Sequence, residues 1–132
     1  MASNKVIITC AVTGGIHTPS LSDALPWRPE ELAAQSIAAA EAGAAILHIH
    51  ARNPQDGSPT GDLKVYQAFL PQIHAATDAV INLTTGGSPD MSPDERLAAA
   101  LHFSPEMCSL NMGSMNFSFH NMGSKVTEWK FP

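Results

Sequence analysis

Four short apolar runs begin near residues 6, 45, 79 and 107, and a helical pattern separates each run from the next. That strand–helix alternation is the signature of a parallel sheet with right-handed crossovers. The first run, Val6 to Thr13, is β-branched and nearly continuous, as in a strand covered on both faces. Gly14-Gly15 ends it, and a long loop from Ile16 to Arg28 follows. A helix opens at Pro29-Glu30-Glu31, where Pro and acids suit the first turn, and stops at Gly43. The second run carries Ala44 to Arg52, and a polar loop covers residues 53 to 61. Tyr66, Phe69, Leu70 and Ile73 mark one face of a second helix, in which Pro71 predicts a kink or a break. Residues 79 to 84 form the third strand. Ser92-Pro93-Asp94-Glu95 is a capping box for a third helix. Residues 107 to 112 form the fourth strand. Trp129 and Phe131 suggest a further packed element.

Each strand keeps its polar side chains on one parity, hence on one face. Thr9 and Thr13 do so in the first, His48, His50 and Arg52 in the second. Asn82 and Thr84 follow in the third, Ser109 and Asn111 in the fourth. The other parity is apolar: Ile8, Cys10, Val12; Leu47, Ile49; Ile81, Leu83; Cys108, Leu110, Met112. A doubly wound sheet buries both faces under helices and needs both apolar. A (β/α)8 TIM barrel has one face toward its helices and one lining the barrel, with polar groups near the C-terminal mouth. The pattern favours the barrel. A complete barrel takes about 250 residues. The 132 residues here are therefore expected to supply the first four βα units, the N-terminal half of one barrel domain.

His48 and His50 are the chemically loudest residues. At i and i+2 on one strand their Cα atoms stand ~6.5–7 Å apart, close enough for both rings to lean onto one Zn²⁺. The bland alternative is a pair of hydrogen-bonded core histidines.

Composition excludes several classes. A net charge of −5 and no basic run argue against nucleic acid or an anionic membrane as partner. No apolar stretch reaches the ~20 residues of a bilayer span, and the N-terminus shows no signal-peptide pattern. Cys10 and Cys108 are expected as buried free thiols in a reducing compartment, so a cytoplasmic location is the default.

Val-Thr-Gly-Gly at 12–15 with His-Thr-Pro-Ser at 17–20 resembles the first strand and loop of the β-keto acid cleavage enzymes, also called the domain-of-unknown-function 849 family. Residues 41–52, 82–87 and 109–117 resemble its second, third and fourth strands, in the right order. The resemblance implies a zinc-dependent TIM barrel. It implies an acyl exchange of retro-Claisen character, in which a substrate such as 3-keto-5-aminohexanoate and acetyl-CoA give acetoacetate and a new acyl-CoA. It makes His48 and His50 the metal ligands and assigns the third ligand, a glutamate, to a second half that these residues do not include. An acid and an arginine of the catalytic set belong there too. The lysine-fermentation member has a substrate-binding glutamate just after the first-strand Thr-Gly pair. Gly15 and Ile16 stand there in this sequence, followed by His17, which fits a relative acting on a different β-keto acid.

A β-keto acid can chelate one Zn²⁺ through its keto and carboxylate oxygens, and its cleavage calls for donors where negative charge develops. Thr84 is the candidate hydroxyl. Thr85, Gly86, Gly87 and Ser88 are the candidate nest of N–H groups, against an ordinary strand-end turn. Ser109 and Asn111 are candidates for bonding substrate or thioester oxygen, against bonding neighbouring backbone. Arg52 is a candidate for an anion, against a structural role. His17 is a candidate substrate contact from its loop, and Asn116 is open to either reading. His74, His102 and His120 are expected at the surface, and Met107 to Met122 as core filler. The partners expected are a small β-keto acid, acetyl-CoA and further copies of the chain in a homo-oligomer. Two other readings compete. One is a different metal-dependent TIM-barrel hydrolase. The other is an inactive truncated chain that only self-associates.

Overall fold

The computed structural model describes residues 5–88 and 91–110. Its elements run β1 (Thr9–Ala11), α1 (Pro29–Glu41), β2 (Ile46–Ile49), α2 (Leu63–Ala76), β3 (Val80–Leu83), α3 (Pro93–Phe103) and β4 (Met107–Cys108). The strands form one sheet in the order β1-β2-β3-β4, and every neighbouring pair is parallel. Spatial order equals chain order. Each crossover therefore moves the sheet one strand in the same direction, as successive units of a barrel wall do. The described residues are a parallel α/β fragment of that kind.

The register bears out the parity reading. Ala11 pairs with His48, His48 with Asn82, and Asn82 with Met107, so these share one face. Cys10, Leu47 and Ile81 share the other, as do Ile49, Leu83 and Cys108. Helices cover that second face. Leu32 and Ala33 of α1 and Tyr66, Phe69, Leu70 and Ile73 of α2 are buried against Leu47, Ile49 and Leu83. Five such large side chains, each contributing about 1.5–3 kcal/mol on burial, make this the main source of cohesion.

The helix boundaries follow local chemistry. The Glu31 carboxylate accepts from the Trp27 and Arg28 N–H groups at the start of α1. Gly43, with φ +106°, closes it, and the Ala44 N–H reaches back to the Ala39 carbonyl. In α3 the Ser92 hydroxyl accepts from the Glu95 N–H while the Glu95 carboxylate accepts from Ser92. Pro71 does not break α2, which runs through it to Ala76. Pro71 and Gln67 lie on the exposed face, so the carbonyl that loses its donor is hydrated.

Several expectations need correction. The first strand is shorter than residues 6–13, and Val6, Ile7 and Ile8 are 83, 71 and 57 % exposed. Among the described residues they lie at the sheet's open edge, where β2 supplies the one neighbouring strand. Cys108 is exposed, because α3 buries little but Ala99 and leaves β4 uncovered, and Cys10 is half-buried in the edge strand β1. Met107 is exposed because it lies on the histidine face, which no helix covers among the described residues, and it is not core filler. His74 and His102 are at the surface as expected. Asn111, Asn116, His120, Trp129 and Phe131 lie outside the described residues.

Candidate active site

β2 ends at Ile49, and its C-terminal end is where the histidines gather. The strand's alternation sinks Leu47 and Ile49 into the core and turns His48 to the opposite face, with His50 one residue beyond the strand. The two Nε2 atoms meet at 3.1 Å. The rings are edge-on, with centroids 5.0 Å apart and planes at 80°. Two nitrogens bound to one tetrahedral ion at ~2.05 Å stand ~3.3 Å apart, so this pair fits a shared Zn²⁺. Among the described residues no group of three or more His, Cys, Asp and Glu converges, so the pair offers two ligands and no third.

The surroundings keep His50 neutral. Burial, then the neighbouring His48 and Arg52, depress its pKa to about 4. A neutral imidazole is the form that binds metal. His50 Nδ1 is buried with no partner among the described residues. Gly15 closes the space beside it. A Cβ there would lie 3.0 Å from the Gly87 carbonyl oxygen and 3.5 Å from His50 Nδ1. The loops after β1 and β3 thus meet over the His50 ring, and a side chain at position 15 would push them apart.

Arg52 anchors the first of those loops. It is fully buried, and its Nη1 donates to the His17 carbonyl at 2.7 Å and the Gly57 carbonyl at 2.9 Å. Its Nη2 donates to the Gly14 carbonyl. The guanidinium therefore ties the loop after β1 to the loop after β2, through carbonyls rather than a loop acid. The His17 side chain is exposed, and it is the His17 backbone that is used. The anchored loop is packed: Thr18, Pro19 and Pro26 are buried.

The turn after β3 is mostly committed to the fold. The Thr84 N–H donates to the Ile49 carbonyl, Thr85 N–H to Ser109 Oγ, Gly86 N–H to Thr84 Oγ1, and Ser88 N–H to Met91 Sδ. These donors are not gathered for an anion. Thr84 is buried beside the site; its hydroxyl accepts from Gly86 and keeps its own proton to give. Ser109 locks β4 to β3, since Thr85 Oγ1 also donates to the Ser109 carbonyl at 2.6 Å. A shallow cleft beside His50 is bordered by Thr84, Gly87, Met91 and Arg96.

Asn82 is the residue whose part was missed. Its Oδ1 lies 3.3 Å from His48 Nδ1. The parity pattern already set it on the histidine face. Only the strand register, which no single sequence prints, sets it opposite His48.

The fold and the paired imidazoles define a parallel βα protein with two histidines converging at a strand end. The sequence profile of the beta-keto acid cleavage enzyme family matches residues 5–131, and the chain belongs to that family. Three relatives are similar to it. The 3,5-dioxohexanoate:acetyl-CoA acetone transferase of Paraburkholderia graminis is 59 % identical over 127 residues, which are 96 % of this chain and 41 % of that protein. The 3-dehydrocarnitine:acetyl-CoA trimethylamine transferase of Rhizobium meliloti is 38 % identical over 136 residues, 88 % of this chain and 45 % of that one. The 3-keto-5-aminohexanoate cleavage enzyme of Acetoanaerobium sticklandii is 36 % identical over 114 residues, 86 % and 41 % of the two chains. The chain spans less than half the length of these curated relatives. No helix among the described residues is long and apolar enough to cross a membrane.

Proposed function

We propose that this chain carries the metal-binding part of a zinc-dependent β-keto acid cleavage site, in which a β-keto acid and acetyl-CoA exchange acyl groups to give acetoacetate and a new acyl-CoA. The observation that carries the reading is the 3.1 Å approach of the His48 and His50 Nε2 atoms. His48 and His50 would hold the zinc, and a glutamate beyond these residues would complete its protein ligands. When bound, the ion would supply Lewis acidity to the keto oxygen. The chain's own residues shape the pocket. Burial keeps His50 unprotonated at neutral pH. Thr84, whose hydroxyl keeps its own proton to give, borders the cleft beside His50, where charge would develop on oxygen. Arg52 ties the loop after β1, which lies over His50, to the loop after β2.

A dioxo acid without an ammonium group, such as 3,5-dioxohexanoate, is the substrate class favoured over an amino acid. Supporting this are the likeness to a relative named for 3,5-dioxohexanoate and the first-strand loop, where Gly14, Gly15 and Ile16 bring no carboxylate to pair with an ammonium group. We include self-association in the reading, since a half-lined wall leaves its polar face and both edges uncovered.

The test is metal analysis of the chain and its variants, with product analysis of a full-length protein carrying this sequence. The expected result is zinc in the wild type, partial because two ligands hold it weakly, and loss of that zinc in His48→Ala and His50→Ala. The full-length protein is expected to turn over 3,5-dioxohexanoate with acetyl-CoA faster than 3-keto-5-aminohexanoate. Equal zinc content in wild type and both variants would remove the ligand assignment. Preference for the amino acid would remove the substrate assignment.

A further inference from the structure

The geometry points to Asn82 as a positioning residue that sets the proton of the His48 ring on Nδ1, leaving Nε2 as lone-pair donor and forcing the opposite tautomer on His50 until a metal ion binds. The metal part of this inference rests on the zinc reading above; the tautomer part does not.

The reasoning follows the protons. Asn82 and His48 are register partners on adjacent parallel strands, so their side chains share a face. The atom Asn82 presents to His48 Nδ1 is its carbonyl oxygen, at 3.3 Å. A carbonyl oxygen only accepts, so His48 Nδ1 is the donor. A neutral imidazole has one N–H, so His48 Nε2 then has none. The 3.1 Å contact between the two Nε2 atoms needs one proton, and His50 must supply it. That makes His50 the Nε2–H tautomer and leaves a bare lone pair on its Nδ1. This agrees with the buried, unpartnered state of that atom among the described residues.

The two histidines are therefore not equivalent. His48 is preset for ligation by its outer hydrogen bond, the usual device by which a neighbour fixes a ligand's tautomer and orientation. His50 must move its proton from Nε2 to Nδ1 before Nε2 can donate to a cation. The proton total is unchanged by that exchange: one N–H is lost at Nε2 and one gained at Nδ1.

The test uses the ¹⁵N-labelled chain, freed of metal with a chelator, and long-range ¹H–¹⁵N correlation of its imidazoles. His48 is expected to show a protonated Nδ1 and a bare Nε2, and His50 the reverse. Added Zn²⁺ is expected to invert the His50 pattern and leave that of His48 in place. Asn82→Leu is expected to scramble the His48 tautomer and weaken zinc binding, read by chelator competition, by about 10–100-fold. Asn82→Asp keeps the acceptor and is expected to bind zinc at least as tightly as wild type. A bare Nδ1 on His48 in the metal-free wild type would overturn the inference. So would an Asn82→Leu variant with the wild-type tautomer and zinc affinity. A wild type that bound no zinc would instead sink the zinc reading, and the tautomers would still be decided by the spectra.

Discussion

His50 is the residue at which the fold pays most plainly for its chemistry. Half-buried beside His48 and Arg52, it stays neutral down to a pKa of about 4, against ~6.5 for a free imidazole. The folded state thus binds fewer protons than the unfolded chain between those two values, so acid favours unfolding. The stabilising effect of neutral His50 is complete above about pH 6.5 and is lost as pH falls toward 4. A difference of about 2.5 pH units corresponds to ~3 kcal/mol as an upper figure. Denaturant unfolding of the metal-free chain at pH 7.5, 6, 5 and 4 is expected to show this decline, and His50→Leu is expected to flatten it. Equal slopes in the two proteins would mean that His50 is hydrated. The His48/His50 pair was legible from spacing alone, because a strand's two-residue repeat puts i and i+2 on one face. Arg52 was less so. Its parity was right, but parity cannot tell a guanidinium reaching for a ligand from one bent onto the Gly14, His17 and Gly57 carbonyls.

At the scale of elements, the helix ends were readable because capping is local chemistry. Pro29, Gly43 and the Ser92–Glu95 box all stand where expected. Strand extents were less readable because they depend on neighbours: Val6, Ile7 and Ile8 have full strand character and remain exposed beside β1. The end of α3 was invisible in the sequence. Ser104 closes it in the left-handed region at φ 46°, where a glycine would be expected. A non-glycine residue there costs roughly 1 kcal/mol. Ser104→Gly is therefore expected to raise stability by up to ~1 kcal/mol, and Ser92→Ala at the other end to lower it by a similar amount. Chemical denaturation measures both. A destabilised Ser104→Gly would show that the serine side chain contributes something the backbone geometry does not reveal.

For the molecule as a whole, the sheet order β1-β2-β3-β4 and the single polar face agree with the barrel wall read from the parity pattern. What lay beyond that reading is the cover over β4, which depends on packing at a distance. Apolar side chains stand uncovered at both ends of the sheet: Val6 and Ile7 at one, Leu101 and Leu110 toward the other. The 14.0 kDa chain is expected to self-associate, with a sedimentation mass that rises with concentration; a monomer throughout the micromolar range would contradict this. The account rests most heavily on the two imidazoles as joint zinc ligands. X-ray absorption of the zinc-loaded chain tests that most directly, since the exposed Cys108 and half-buried Cys10 offer sulfur as a rival ligand. The account predicts two imidazole nitrogens at about 2.0–2.1 Å, falling to one or none in His48→Ala. Sulfur at about 2.3 Å, or a nitrogen shell unchanged by that substitution, would contradict it.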